Sequence, residues 1–270
     1  MKVKMCTNFL CISFREINLV KFIKLKYIVN IKMKKTNNLT NYKAVILAGG
    51  AGTRLYPITK EIPKPLLLVK RKPIINYLVD LFLSQGIKDV AVLINKNFVE
   101  EFTWWRKRYY PEKNIKFFEE SKPLGTFGGL YFLKDWISGS PFFLSNGDEL
   151  KKIDLAKMAS FHQNINTIGT IALVKVPNPE DYGVVLCNSD IVEKFLEKPK
   201  KSPSKYINSG LYLLSSEIFN YHPGPKFLMI EKDIFPKMAK ENRLAGFKFN
   251  GKWMDCGTWD RYSEALQKWK

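Results

Sequence analysis

The stretch that most constrains this chain is Ala44-Val-Ile-Leu-Ala-Gly-Gly-Ala-Gly-Thr-Arg-Leu-Tyr-Pro57, completed by Pro63-Lys64-Pro65. Ala44 to Ala48 is a short apolar run with β-branched residues, which reads as a buried strand. It runs into Gly49, Gly50 and Gly52. Glycine tolerates positive φ and lets a ligand approach the backbone. A glycine-rich turn after a buried strand therefore presents free N–H groups, which suit phosphate. Arg54 and Lys64 add two positive charges nearby. This combination describes a site for a polyanion such as a nucleoside triphosphate. A plain strand and a loop with two surface cations explain the glycines alone equally well. Two better-known phosphate motifs do not fit. The pattern G-x-G-x-x-G would need glycine where Leu55 stands, and the P-loop would need a G-K-[ST] ending.

Beyond this stretch, strand and helix signals alternate, which argues for an α/β fold with a largely parallel sheet. Strands are expected at 90–94, 115–118, 141–144, 168–176, 182–186, 191–196, 207–214 and 244–249. Helical spacing marks 74–85, 98–110, 128–137, 230–239 and 259–268, the first stopping at Gly86. At 270 residues, with 46% hydrophobic residues, the chain can bury a sizeable core.

The formal net charge of +19 invites a nucleic-acid reading. It is unevenly spread: residues 1–35 hold nine Lys or Arg against Glu16 alone. The remainder shows no Arg-rich block and no recognised RNA-binding module, so no nucleic-acid partner is expected. Residues 1–42 form a basic extension before the domain at 43–270. The extension reads as a disordered or membrane- or partner-touching segment, or as a start-site artefact with synthesis beginning at Met33. Its Lys, Ile, Asn and Phe bias favours the artefact, and the intact mass of the native protein decides. No apolar run reaches the roughly 18 residues that span a membrane. Cys6, Cys11, Cys187 and Cys256 form no C-x-x-C pair, and their scatter suits a reducing, cytoplasmic setting.

In open α/β sheets, ligands gather at the carboxyl ends of strands. Three such ends stand out: 49–52, the loop Lys122-Pro-Leu-Gly-Thr126, and Asn146-Gly-Asp148. A carboxylate there, beside a triphosphate, is a candidate magnesium ligand. An ordinary turn cap is the alternative for Asp148.

The string G-G-x-G-T-R-L-x-P followed by P-K-P resembles the signature of the sugar-1-phosphate nucleotidyltransferases. Further elements of that family follow in order: L-G-T at 124–126, N-G-D at 146–148, Y-G-V-V at 182–185, E-K-P at 197–199, N-S-G-L-Y at 208–212 and W-M-D-x-G-T at 253–258. The stretches 174–185, 230–241 and 251–255 are most similar to mannose-1-phosphate guanylyltransferases. The resemblance implies a Rossmann-like three-layer sandwich with a mixed, mostly parallel sheet. It also implies transfer of a nucleotidyl group to a sugar-1-phosphate, with pyrophosphate leaving.

By the same resemblance, Arg54 holds the β and γ phosphates and Lys64 sits on the α-phosphate. Leu47, Ala48, Gly49, Gly50, Gly52, Thr53, Gly125 and Thr126 line the nucleotide. Asp148 and Asp255 share Mg2+. Lys198 pairs with the sugar phosphate, and Gly183, Glu197 and Asn208 meet sugar hydroxyls. The plainer alternatives are a strand-end turn at Glu197 and Lys198, a strand-ordering role for Asn208, and a helix cap for Asp255. Lys122, Phe127 and Gly129 depart from the family pattern in the loop expected to face the base, which leaves the base open. GTP with mannose-1-phosphate is the leading pair. The alternatives are dTTP or UTP with glucose-1-phosphate, and a non-catalytic sugar-nucleotide sensor. Assembly into a homo-oligomer is left open.

Overall fold

The computed structural model describes residues 39–270. The Met33 start and the first two cysteines lie outside the described residues. Nine strands form one sheet: β1 (Lys43–Ala48), β2 (Asp89–Asn95), β3 (Ile115–Glu120), β4 (Phe142–Asn146), β5 (Gly169–Lys175), β6 (Gly183–Asn188), β7 (Ile191–Glu197), β8 (Tyr206–Leu214) and β9 (Leu244–Lys248). Their order is β3-β2-β1-β4-β8-β5-β9-β7-β6. Strands β7 and β8 run against the others, so the sheet is mixed but mostly of one direction. The carboxyl ends of β1 to β4 therefore lie along one edge, where the glycine turn and Asp148 emerge.

Strand β1 shows why the architecture has three layers. Ala44, Ile46 and Ala48 pack on one face with Phe82, Phe102 and Met158. Val45 packs on the other with Leu93, Phe127 and Phe235. Alternate side chains point to opposite faces, so a strand apolar from Ala44 to Ala48 must be covered on both. Helices α1 (Ile74–Ser84), α2 (Val99–Tyr109) and α3 (Leu155–Ile165) supply the first cover. The segment 125–137 and helix α4 (Phe235–Lys240) supply the second. Helix α5 (Trp259–Lys268) closes a smaller cluster with Leu55, Leu67 and Ile74.

Four local departures from expectation have physical reasons. Packing begins before residue 43, because Leu39 and Tyr42 are buried and the Tyr42 ring lies 5.7 Å from that of Phe143. The expected helix over 128–137 is helical but broken: short α-helices at Gly125–Gly128 and Lys134–Ile137 flank a 3-10 helix at Gly129–Leu133. Its first amides, Phe127 and Gly128, donate to the Leu228 carbonyl, which ties the segment to a distant loop. The expected 230–239 helix opens on a π-helical turn at Ile230–Ile234. Helix α3 is absent from the sequence expectation. Asp154 caps it by accepting from the Lys157 amide at 2.9 Å, but only Leu155, Met158, Ala159 and His162 mark its buried face.

His162 gives this helix a pH signature. Its Nδ1 lies 2.8 Å from the Thr170 hydroxyl, and burial pushes its pKa down to about 4. The unfolded chain binds this proton below pH ~6.5, while the folded chain resists it. Stability is therefore lost as pH falls from about 6.5 towards 4, by up to ~3 kcal/mol from this group. Urea unfolding of wild type and His162→Gln between pH 4 and 7 checks this. The wild-type curve is expected to be steeper over that window.

Candidate active site

The glycine turn is built by its neighbours. Gly52 sits at φ 64°, and its carbonyl accepts from the Thr59 hydroxyl at 2.8 Å. A Cβ at Gly49 would collide with Glu120 Oε2. A Cβ at Gly147 would collide with the Leu47 carbonyl, which instead accepts from the Gly147 amide at 2.9 Å. That close approach sets Asp148 beside the turn. Lys64 is presented on a 3-10 turn, Lys64–Leu66, between Pro63 and Pro65. The Lys64 ammonium forms an ion pair with Asp148.

Asp255 reaches the same place from the far end of the chain. Strand Trp253–Asp255 pairs antiparallel with Glu149–Lys151, setting Asp255 opposite Glu149. The Cys256 amide then donates to the Asp148 carbonyl at 3.0 Å. Arg261 Nη1 holds Asp255 at 2.7 Å, and Nη2 holds Asp181 at 3.0 Å.

The electrostatics separate the two aspartates. Burial works to raise the Asp148 carboxyl, but Lys64, with Arg54 behind it, outweighs burial and holds it below the usual range. Burial and then the Asp148 charge raise Asp255, against the pull of Arg261 and Lys64. The two carboxylates thus feel each other. Beneath them, Lys151 is buried 3.3 Å from Glu149 and donates to the carbonyls of Ser209 at 2.9 Å and Gly210 at 3.2 Å. Glu149 accepts from Trp253 Nε1 at 2.7 Å and Asn146 Nδ2 at 3.0 Å. Burial, with Asp148 and Asp255 adding to it, raises Glu149 to about 7 despite Lys151. Sequence reasoning missed this polar floor, along with Arg261.

A cleft of about 430 Å³ opens above the turn. Leu47, Ala48, Gly49, Gly50, Gly52, Thr53 and Arg54 line it, with Lys64 and Asp148. Gly125 and Thr126 line the opposite wall, with Glu120 and Met229. Gly125 takes φ 79°, and a Cβ there would collide with the Leu228 carbonyl. The Thr126 hydroxyl donates to Glu231 at 2.6 Å and accepts from the Ile230 amide at 3.0 Å. Thr126 therefore anchors the loop through its side chain. Of the three departures in this loop, Lys122 is exposed, Phe127 is buried against His222, and Gly129 backs onto Glu120.

The residues expected at the sugar do not line this cleft among the described residues. Gly183 pairs with Glu197 across β6 and β7. Lys198 follows in a left-handed conformation, φ 46°, with its ammonium 4.0 Å from Glu197. The Lys198 side chain is exposed and that of Glu197 is half-buried. Asn208 donates to the Tyr212 hydroxyl at 2.8 Å and accepts from the Gly210 amide at 2.9 Å, ordering the irregular part of β8. The β6–β7 hairpin is tied to the aspartates through Tyr182. Its ring lies 5.4 Å from that of Trp253 and under the Arg261 guanidinium at 4.4 Å.

The nucleotidyl transferase family model matches residues 43–270. The chain belongs to that family. It is 38% identical over 223 residues to a mannose-1-phosphate guanyltransferase of Schizosaccharomyces pombe, and 35% identical to the one of Saccharomyces cerevisiae. Each match covers 80% of this chain but 61% of the relative, so the chain spans about three fifths of those proteins. Among solved structures, HddC of Yersinia pseudotuberculosis complexed with GMP-PN superposes with a TM-score of 0.73 at 28% identity. That likeness covers 85% of this chain and 100% of HddC.

Proposed function

We propose that this member of the family transfers a nucleotidyl group from a nucleoside triphosphate to a sugar-1-phosphate, with GTP and mannose-1-phosphate as the preferred pair. The observation that carries this reading is the convergence of the glycine turn, Arg54, Lys64, Asp148 and Asp255 at one edge of the sheet. The guanyltransferase relatives support the choice of pair.

A sugar-phosphate oxygen forms the new bond to the α-phosphorus. The bond from that phosphorus to the bridging oxygen breaks, and its electron pair leaves with pyrophosphate. Catalysis then needs alignment and charge neutralisation. The turn amides and Arg54 grip the triphosphate tail. Lys64 moves from Asp148 to the α-phosphate and offsets its growing charge. Lys198 and Glu197 orient the incoming sugar phosphate from the exposed rim.

The donor set fits magnesium: two hard carboxylates within electrostatic reach of each other, beside the phosphates that would complete the shell. Bound there, the ion would neutralise phosphate charge and fix the tail. Among the described residues, no helix is long and apolar enough to cross a membrane. The free thiols Cys187 and Cys256 fit a reducing cytoplasm.

A pyrophosphate-release screen of five nucleotides against a panel of sugar-1-phosphates tests the reading. GTP with mannose-1-phosphate is expected to turn over fastest. Turnover confined to dTTP or UTP with glucose-1-phosphate would reassign the substrates. Silence across the panel would remove the activity.

A further inference from the structure

Arg261 lies in the first turn of helix α5, shortly after Asp255. Thr258 caps that turn by accepting from the Arg261 amide at 3.4 Å, which fixes the backbone the side chain starts from. The side chain is only 20% exposed. Its Nη1 donates to Asp255 Oδ2 at 2.7 Å, and its Nη2 donates to Asp181 Oδ2 at 3.0 Å. Its Cζ lies 4.4 Å from the centre of the Tyr182 ring.

These partners belong to two different working parts. Asp255 is half of the proposed cation site. Asp181 and Tyr182 lead into β6, and the Tyr182 carbonyl accepts from the Lys198 amide at 3.1 Å. One guanidinium therefore joins the cation site to the backbone that carries Lys198. Trp253 also touches Tyr182, but edge to face, a contact that tolerates sliding. A planar fork with two bonds and a stacked ring does not. The bond to the mostly buried Asp255 is the strong arm. The bond to Asp181, which is 75% exposed, is the weak one.

We infer that Arg261 is a positioning residue that sets the sugar-phosphate rim, Tyr182 with Lys198 bonded to it, at a fixed place relative to Asp255. It thereby aligns the incoming phosphate oxygen with the α-phosphorus. This rests on the reaction proposed above.

Steady-state pyrophosphate release, with the sugar-1-phosphate that wild type turns over fastest, tests the role. Arg261→Met keeps the apolar stem but loses the fork. It should raise KM for the sugar phosphate about tenfold or more and lower kcat about ten- to a hundredfold. The Kd for GTP, by calorimetry without metal, should be unchanged, because the glycine turn and Arg54 are untouched. Arg261→Lys restores a charge beside Asp255 but holds one partner at a time, so kcat should partly recover while KM stays raised. A structural role alone would lower the melting temperature and the active fraction and leave the sugar-phosphate KM unmoved, which would overturn the inference. A GTP Kd that weakens in step with that KM would also overturn it. Asp181→Ala, at an exposed side chain, decides the matter should Arg261→Met fail to fold. It should raise the same KM about two- to fivefold, and no rise would overturn the inference. Absence of wild-type turnover with every sugar-1-phosphate would overturn the underlying function, a failure distinct from an unmoved KM.

Discussion

Lys64→Ala should slow pyrophosphate release by roughly 10²- to 10³-fold. The magnitude follows from removing one preorganised charge aimed at the α-phosphate, which costs about 3–4 kcal/mol in comparable sites. Flanking prolines limit the backbone that presents it, so a neighbouring lysine does not readily substitute. The loss should fall mainly on kcat, since Arg54 and the turn amides still hold the tail. Removing the ammonium also leaves Asp148 without its main partner and raises its carboxyl. Activity lost on Lys64→Ala should be partly regained in Lys64→Arg, which restores charge with altered geometry. Near-wild-type turnover by Lys64→Ala, at unchanged melting temperature, would exclude Lys64 from the chemistry.

Asp148→Asn should be at least as damaging, by about 10³-fold in rate, because it removes half of the proposed cation site. Manganese titration followed by electron paramagnetic resonance separates this role from a structural one. The variant should lose tight manganese binding while keeping its fold. Removing the Asp148 charge also takes away one cause of the raised Asp255 carboxyl, so Asp255 should titrate lower. A variant that keeps wild-type manganese affinity would take Asp148 out of the cation site.

Some of this site was legible in the sequence and some was not. The glycine turn, Arg54 and Lys64 lie within one short stretch, so their residue types announce their chemistry. The closeness of Asp255 to Asp148 has no local signal. It depends on pairing Trp253–Asp255 with Glu149–Lys151, which brings together segments far apart in the chain. The setting of Glu120 likewise depends on Gly49 and Gly129 meeting from two segments. Thr126 shows the converse. Its place on the wall of the cleft was readable, but its hydroxyl serves Glu231 on a loop that only the fold brings near. The sheet itself was legible because β1, β2, β4 and β5 each carry an unbroken apolar run, the mark of strands covered on both faces. Helix α3 escaped notice because its buried stripe is thin and includes a histidine.

The most direct measurement is the anomalous scattering of crystals soaked with GTP and manganese. A single manganese peak shared by the carboxylates of Asp148 and Asp255, with the triphosphate draped over residues 49–54, is the predicted result. A triphosphate bound away from that turn, or a metal ion touching neither aspartate, would contradict the account.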